Sequence, residues 1–301
     1  NYELYGEMTG RVMTIIRDMA PECFRYSIDE AFAVLDGFTT DELHEWGTAL
    51  HDRVMQSVGM PVSIGIAPTK TMAKMASHYA KKYAGYGHCC VIDTEERRIK
   101  AEQLYPIGEV WGIGRRYQAR LESMGIRTAY DFASHARSWV SATFRTVIME
   151  RTWAELNGVD CIPDDIPAKK KSVCTSRSFR DMTSDFDILH THIANFAARC
   201  AEKARRQRSV ATVVGVFVDT NHFRTDLTQY WNMTEQTLRM PSASTIEIVK
   251  AATACLKRIY RADVMYKKAG VILMGVVPDN AIQTDLFTFD ADRHRQMQSL
   301  D

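Results

Sequence analysis

Two carboxylates stand side by side in the stretch Tyr26-Ser27-Ile28-Asp29-Glu30-Ala31-Phe32. Phe24, Tyr26, Ile28, Phe32 and Val34 around them have strand character, which places the pair in a hairpin over residues 22–36. A carboxylate packed against a core is costly unless a cation compensates it. A hard divalent ion such as Mg²⁺ does so, because it prefers carboxylate oxygens and keeps positions open for water and phosphate. In a regular strand Asp29 and Glu30 point to opposite faces, so both reach one site only if the hairpin bends. Asp29 is the stronger candidate for a bridging ligand. The competing reading is a polar turn with both acids in water.

Three other stretches carry charge in a usable pattern. The helix opened by Pro68-Thr69 sets Met72, Met75, Ala76 and Tyr79 toward a core, with Lys70, Lys74 and Lys81 on another side and no acid among them. Such lysines form either a clamp for a triphosphate or a solvated basic face. The turn Gly112-Ile113-Gly114-Arg115, followed by Leu121, Gly125 and Ile126, has the form of a helix-hairpin-helix. Glycines there let a phosphate approach the open N–H groups of a helix start, making Gly112, Gly114 and Arg115 candidates for nucleic-acid contact. A tight interhelical turn is the alternative. Residues 169–208 hold ten Lys and Arg against four acids, beginning Lys169-Lys170-Lys171 and including Arg177, Arg180, Arg205, Arg206 and Arg208. Lys170 and Arg177 are the candidates for polyanion contact. Arg177 and Arg180 face opposite sides of a strand unless a bulge intervenes.

These residues need a frame of several domains. The chain has 301 residues, 46% of them hydrophobic and 25% charged, which allows two or three real cores and excludes global disorder. No apolar run is long enough to span a bilayer, no secretory signal opens the chain, and seven cysteines without a C-x-x-C pair read as reduced thiols in a cytoplasmic protein. The net charge of +1 hides an asymmetry: residues 1–60 carry four Arg and no Lys against eleven acids, opposite in sign to the 169–208 segment.

The patterning predicts a helix over 2–19, the hairpin, and a helix over 42–58 capped by Asp41. A strand over 61–67, the lysine helix to Tyr83 and a short strand over 88–92 complete one α/β domain over 1–93. Residues 94–160 read as short helices and 161–171 as a linker with Pro163 and Pro167. Residues 172–277 follow a β-α-β-β-α-β order, the split-βαβ arrangement, with Leu189, Ile193, Phe196, Cys200 and Ala204 on one face of its first helix. Residues 278–301 read as a tail. The whole is an α+β multidomain chain.

In order and spacing, the motif around Asp29 and Glu30, the segment Ser63-Ile64-Gly65-Ile66-Ala67-Pro68-Thr69-Lys70-Thr71-Met72-Ala73-Lys74 and the segment Val110-Trp111-Gly112-Ile113-Gly114-Arg115-Arg116 resemble the Y-family DNA polymerases, in their UmuC-like branch. The resemblance covers nearly the whole chain. It implies a partial palm (1–93), a small all-helical thumb (94–160) and a little finger (172–277). It implies translesion nucleotidyl transfer to a primer 3′ end opposite damaged template, in SOS mutagenesis and DNA repair. Two Mg²⁺ ions would be held by Asp29, Glu30 and a third carboxylate on an earlier strand. Lys81 would meet the incoming dNTP's phosphates, with Lys74 a secondary candidate. Implied partners are primed damaged DNA, dNTP, a UmuD-type accessory dimer and the RecA filament. Gln283-Thr284-Asp285-Leu286-Phe287 resembles the pentapeptide by which bacterial polymerases dock on the sliding clamp, with Gln283, Leu286 and Phe287 as anchors.

Asn1 reads as an internal position, since removal of an initiator Met normally leaves a small second residue. The third carboxylate, the fingers and the gate against ribonucleotides are then expected upstream, and the 301-residue chain alone is expected not to extend a primer. The alternative is a non-catalytic damaged-DNA-binding module. A peptide covering residues 280–289 is expected to bind the sliding clamp in a fluorescence-anisotropy titration. Binding that survives joint Leu286→Ala and Phe287→Ala substitution removes the docking assignment.

Overall fold

The computed structural model describes residues 2–20, 22–164 and 171–280. The chain divides into two compact units, Asn1–Pro167 and Ala168–Asp301. Gln283, Leu286 and Phe287, the expected clamp anchors, and Lys170, in the expected linker, lie outside the described residues.

The first unit opens with helix α1 (Tyr2–Met19), hairpin strands β1 (Cys23–Arg25) and β2 (Ala31–Ala33), and helix α2 (Thr40–Val58). The cap of α2 is Thr39 rather than Asp41. The Thr39 backbone N–H donates to Glu42 Oε2 at 2.7 Å, the side-chain arm of a capping box, and the Thr39 hydroxyl donates to the same oxygen at 2.7 Å. Gly59, at φ +70°, ends the helix in the left-handed conformation that glycine adopts without strain. Strand β3 (Ile64–Ile66) pairs in parallel with β4 (Cys89–Val91), and α3 (Lys70–Lys82) connects them.

Five short helices follow: α4 (Glu95–Leu104), α5 (Arg115–Ser123), α6 (Ala129–Ala133), α7 (Arg137–Phe144) and α8 (Val147–Leu156). They share one apolar core with α3 and β4, built on residues such as Met75, Cys90, Ile107, Leu121, Phe132 and Met149. A smaller core of Ile15, Leu50 and Val54 joins α1 to α2.

The second unit contains β5 (Ser172–Thr183), α9 (Phe186–Arg206), β6 (Ser209–Thr220), β7 (Trp231–Ser242), α10 (Thr245–Ile259), β8 (Tyr266–Met274) and a short β9 (Val277–Pro278). The sheet order is β5-β8-β6-β7, with every neighbouring pair antiparallel. Strands β5 and β6 are therefore parallel with β8 between them, and β7 and β8 are parallel with β6 between them. These are two interleaved split β-α-β units. Leu189, Ile193, Phe196, Cys200 and Ala204 of α9 are all buried against the sheet, as their helical spacing requires.

One buried charge makes the first unit sensitive to pH. Glu102 of α4 is fully buried, and Arg98 reaches both its oxygens at 3.2 Å while also donating to the Leu156 carbonyl at 3.1 Å. Burial outweighs the arginine and pushes the Glu102 carboxyl from 4.5 up to about 7. The folded state then holds a proton that the unfolded chain releases. This contribution to stability is fully present below about pH 4.5 and is lost as pH rises through about 7. Its full size is on the order of 3 kcal/mol. Urea unfolding at about pH 5 and about pH 8 is expected to show a smaller pH effect in Glu102→Gln than in the wild type. Equal pH effects in the two proteins contradict the assignment.

Candidate active site

The β1–β2 hairpin is only three residue pairs long, with Phe24 opposite Phe32 and Arg25 opposite Ala31. Between the strands, the Tyr26 and Ser27 N–H groups both donate to the Glu30 carbonyl, at 3.0 and 3.1 Å. This folds residues 26–30 into a tight loop and breaks the strand alternation that would have sent Asp29 and Glu30 to opposite faces. The Ser27 hydroxyl donates to Asp29 Oδ1 at 2.7 Å and lies 3.5 Å from Glu30 Oε2, while the Asp29 N–H donates to Ser27 Oγ at 3.3 Å. Both carboxylates thus gather around one hydroxyl, and both are exposed. From α1, Thr9 donates to the Ile28 carbonyl and ties the loop to the unit. Among the described residues, no group of three or more His, Cys, Asp and Glu side chains is placed to hold a metal ion. The loop offers a pair of hard oxygen donors.

Helix α3 brings the lysines to this pair. Its fit to β3 depends on Gly65, where an added Cβ would lie 2.1 Å from both the Ala73 carbonyl and the Ser77 nitrogen. Backbone packs on backbone there, and only glycine permits it. The start of α3 is fixed by Thr69, whose hydroxyl accepts from Met72 N–H, and by Glu155 of α8. Glu155 is fully buried. Its Oε2 accepts from Thr71 N–H at 2.9 Å, and its Oε1 accepts from Cys161 and Ile162 N–H at 2.9 and 3.1 Å. This carboxylate, flanked by Ala154 and Leu156, reads in sequence as an ordinary helix residue.

Held in this way, Lys74 sets its Nζ 2.7 Å from Glu30 Oε1 and 5.1 Å from the ring centroids of both Tyr26 and Trp111. Lys81 stands exposed two turns further along α3. Lys70 is separated from this group. Its Nζ pairs with Asp160 at 3.1 Å and Asp164 at 3.3 Å, and its side chain is 14% exposed. Burial opposes its charge, but the two aspartates outweigh burial and raise its pKa. The three-lysine face expected from spacing is therefore divided: Lys74 faces Glu30, Lys81 is exposed, and Lys70 is turned to Asp160 and Asp164.

The Gly112–Gly114 turn lies beside the hairpin. Gly112 has φ +92°, and a Cβ there would come 2.5 Å from the Thr152 hydroxyl, which donates to the Trp111 carbonyl at 3.3 Å. Gly114 is the N-cap of α5, with open space where a Cβ would stand, and Arg115 and Arg116 are exposed at the helix start. Unpaired N–H groups with open approach suit a phosphate oxygen.

In the second unit, Arg177 is exposed on β5 opposite Ala269 of β8. The pairing of β5 with β8 shifts between Ser178 and Thr183, an interval that contains Arg180, so Arg177 and Arg180 do not share one regular register. Part of the basic segment is committed elsewhere. Lys203 donates to the Cys174 carbonyl and the Thr175 hydroxyl, Arg205 to the Ala243 carbonyl, and Arg206 pairs with Glu202.

The fold matches a solved Y-family DNA polymerase chimera with a TM-score of 0.66 at 17% identity, covering 92% of this chain and 78% of that one. This likeness shows the fold, which is that of a Y-family polymerase. Family models described as impB/mucB/samB family and impB/mucB/samB family C-terminal domain match residues 1–78 and 170–286. Protein UmuC of Salmonella typhimurium strain LT2 is 36% identical over 297 residues, covering 97% of this chain and 70% of the relative. Protein MucB of Escherichia coli is 35% identical over 289 residues, covering 95% and 68%. A DNA polymerase IV of Dehalococcoides mccartyi strain CBDB1 is 27% identical over 280 residues, covering 92% and 67%. The chain belongs to the impB/mucB/samB family, the UmuC-like branch of the Y-family DNA polymerases.

Gly65→Ala is expected to destabilise the first unit by about 1–3 kcal/mol, because the new methyl must push α3 off β3. Chemical denaturation measures this, and wild-type stability in the variant would show that α3 does not need the close approach.

Proposed function

We propose that this chain forms much of the catalytic body of a translesion DNA polymerase, with its reacting centre at the Asp29–Glu30 loop. In this reading residues 1–93 are palm, 94–160 thumb, 161–171 linker and 172–277 little finger, followed by a clamp-docking tail over 278–301. The observation that carries it is the convergence of Asp29 and Glu30 around the Ser27 hydroxyl, with Lys74 2.7 Å from Glu30.

Asp29 and Glu30 are the residues that would hold Mg²⁺, whose donor preference their oxygens fit. When bound, the ion acidifies the primer 3′-hydroxyl and offsets charge on the leaving pyrophosphate. The rest falls to the chain's own groups. Ser27 orients the Asp29 carboxylate by its hydrogen bond. Lys81, with Lys74 beside the acids, supplies positive charge to the triphosphate of the incoming dNTP. The open N–H groups near Gly112 and Gly114, with Arg115, take the DNA backbone without reading sequence. Arg177 on the little finger and Lys170 in the linker add phosphate contacts. Ligands are primed damaged DNA and dNTPs, and partners are the sliding clamp, the UmuD-type dimer and the RecA filament. No helix among the described residues is long and apolar enough to cross a membrane, which suits a protein working on DNA in the cytoplasm.

In the intact protein, Asp29→Asn is expected to lower primer extension more than about 100-fold while leaving primed-DNA binding unchanged. Undiminished extension by the variant would move the reacting centre elsewhere. A wild-type protein that binds primed DNA and never extends it would establish the non-catalytic binding module instead.

A further inference from the structure

A two-stranded hairpin of three residue pairs does not hold its own shape in water. Here it must present two carboxylates in one arrangement, so what braces it decides whether the site exists. On the strands themselves, the Phe24 and Phe32 rings meet at a tilt with centroids 5.5 Å apart, and Tyr26 meets Phe32 edge-on at 5.7 Å. This cluster is local and fixes nothing beyond the hairpin. A single ring from a distant part of the sequence closes it. Trp111 meets Tyr26 edge-on at 5.2 Å and Phe32 at 6.0 Å.

The same indole also faces the lysine. Lys74 Nζ lies 5.1 Å from the Tyr26 centroid and 5.1 Å from the Trp111 centroid, with Glu30 Oε1 at 2.7 Å. The ammonium is thus confined by two aromatic faces and one carboxylate, which leaves Glu30 a restricted set of rotamers. Trp111 is itself fixed. Gly112 takes a left-handed conformation directly after it, and the Thr152 hydroxyl of α8 donates to its carbonyl.

From this geometry we infer that Trp111 is a positioning residue for the reaction: it braces the Tyr26–Glu30 loop, confines Lys74 against Glu30, and links the Gly112–Gly114 turn to the carboxylate pair. Its effect on the reaction passes through Tyr26, Lys74 and Glu30. The inference rests on the reading of Asp29 and Glu30 as the metal-binding pair.

The test uses the intact protein and Mn²⁺ alone, with binding followed by electron paramagnetic resonance, alongside thermal melting. Trp111→Ala is expected to weaken Mn²⁺ binding about 10-fold, the size of effect seen when groups that orient a metal ligand are lost. Trp111→Phe, which keeps an aromatic face in the turn, is expected to recover most of that loss. Asp29→Asn serves as the reference. If Asp29→Asn binds Mn²⁺ as the wild type does, the reading of the site fails. If Asp29→Asn loses binding while Trp111→Ala keeps it, the positioning role alone fails. Equal losses in Trp111→Ala and Trp111→Phe, with equally lowered melting temperatures, also overturn it, because they mark general destabilisation.

Discussion

The contact between Lys74 and Glu30 joins three stretches of sequence that share no local reason to meet. Glu30 comes from the hairpin loop, Lys74 from a helix 44 residues later, and the indole that covers the ammonium comes from the turn at Trp111. The ion pair is partly exposed, at 26% for Lys74 and 43% for Glu30, so its own contribution is no more than about 1 kcal/mol. Each aromatic face adds about 0.5–1 kcal/mol. None of these contacts decides the fold. Together they decide the direction of one carboxylate, which is what a two-carboxylate site needs from its surroundings.

That contact is possible only because the helix bearing Lys74 is fixed at both levels. Along its length, Gly65 lets its backbone rest on β3. At its start, the buried Glu155 carboxylate accepts from the backbone of Thr71 and, with its other oxygen, from Cys161 and Ile162. A fully buried carboxylate bonded to three N–H groups costs less than an unpaired one and leaves little freedom. One side chain therefore ties α8, the start of α3 and the chain beyond residue 160. Lys70 adds to the same tie through Asp160 and Asp164. The surface that carries Lys74 and Lys81 is thereby held rigid from behind.

Much of this was legible in the sequence where the signal is local. The spacing of Leu189, Ile193, Phe196, Cys200 and Ala204 gave the buried face of α9, and Thr69 after Pro68 marked the start of the lysine helix. Motif order alone singles out Asp29, Glu30 and Lys74 as candidates. What stayed hidden depends on long-range pairing. Lys70 looked equivalent to Lys74, because helical spacing cannot show that Asp160 lies against one and Glu30 against the other. Trp111 read as part of a glycine turn, since its partners Tyr26 and Phe32 lie about 80 positions earlier. The offset between Ser178 and Thr183 on β5 is a pairing irregularity, which periodicity within one strand does not reveal. Residue type alone points to Asp41 as the cap of α2, whereas Thr39 takes the place because Glu42 stands where its carboxylate accepts from the Thr39 N–H.

The arrangement of the acids is tested most directly by anomalous diffraction at the manganese edge, on crystals of the intact protein with primed DNA, an incoming nucleotide and Mn²⁺. The expected result is an anomalous peak bonded to carboxylate oxygens of both Asp29 and Glu30, with the triphosphate within reach of Lys81. A peak bound to other residues, with Asp29 and Glu30 bonded only to Ser27, Lys74 and water, would contradict it.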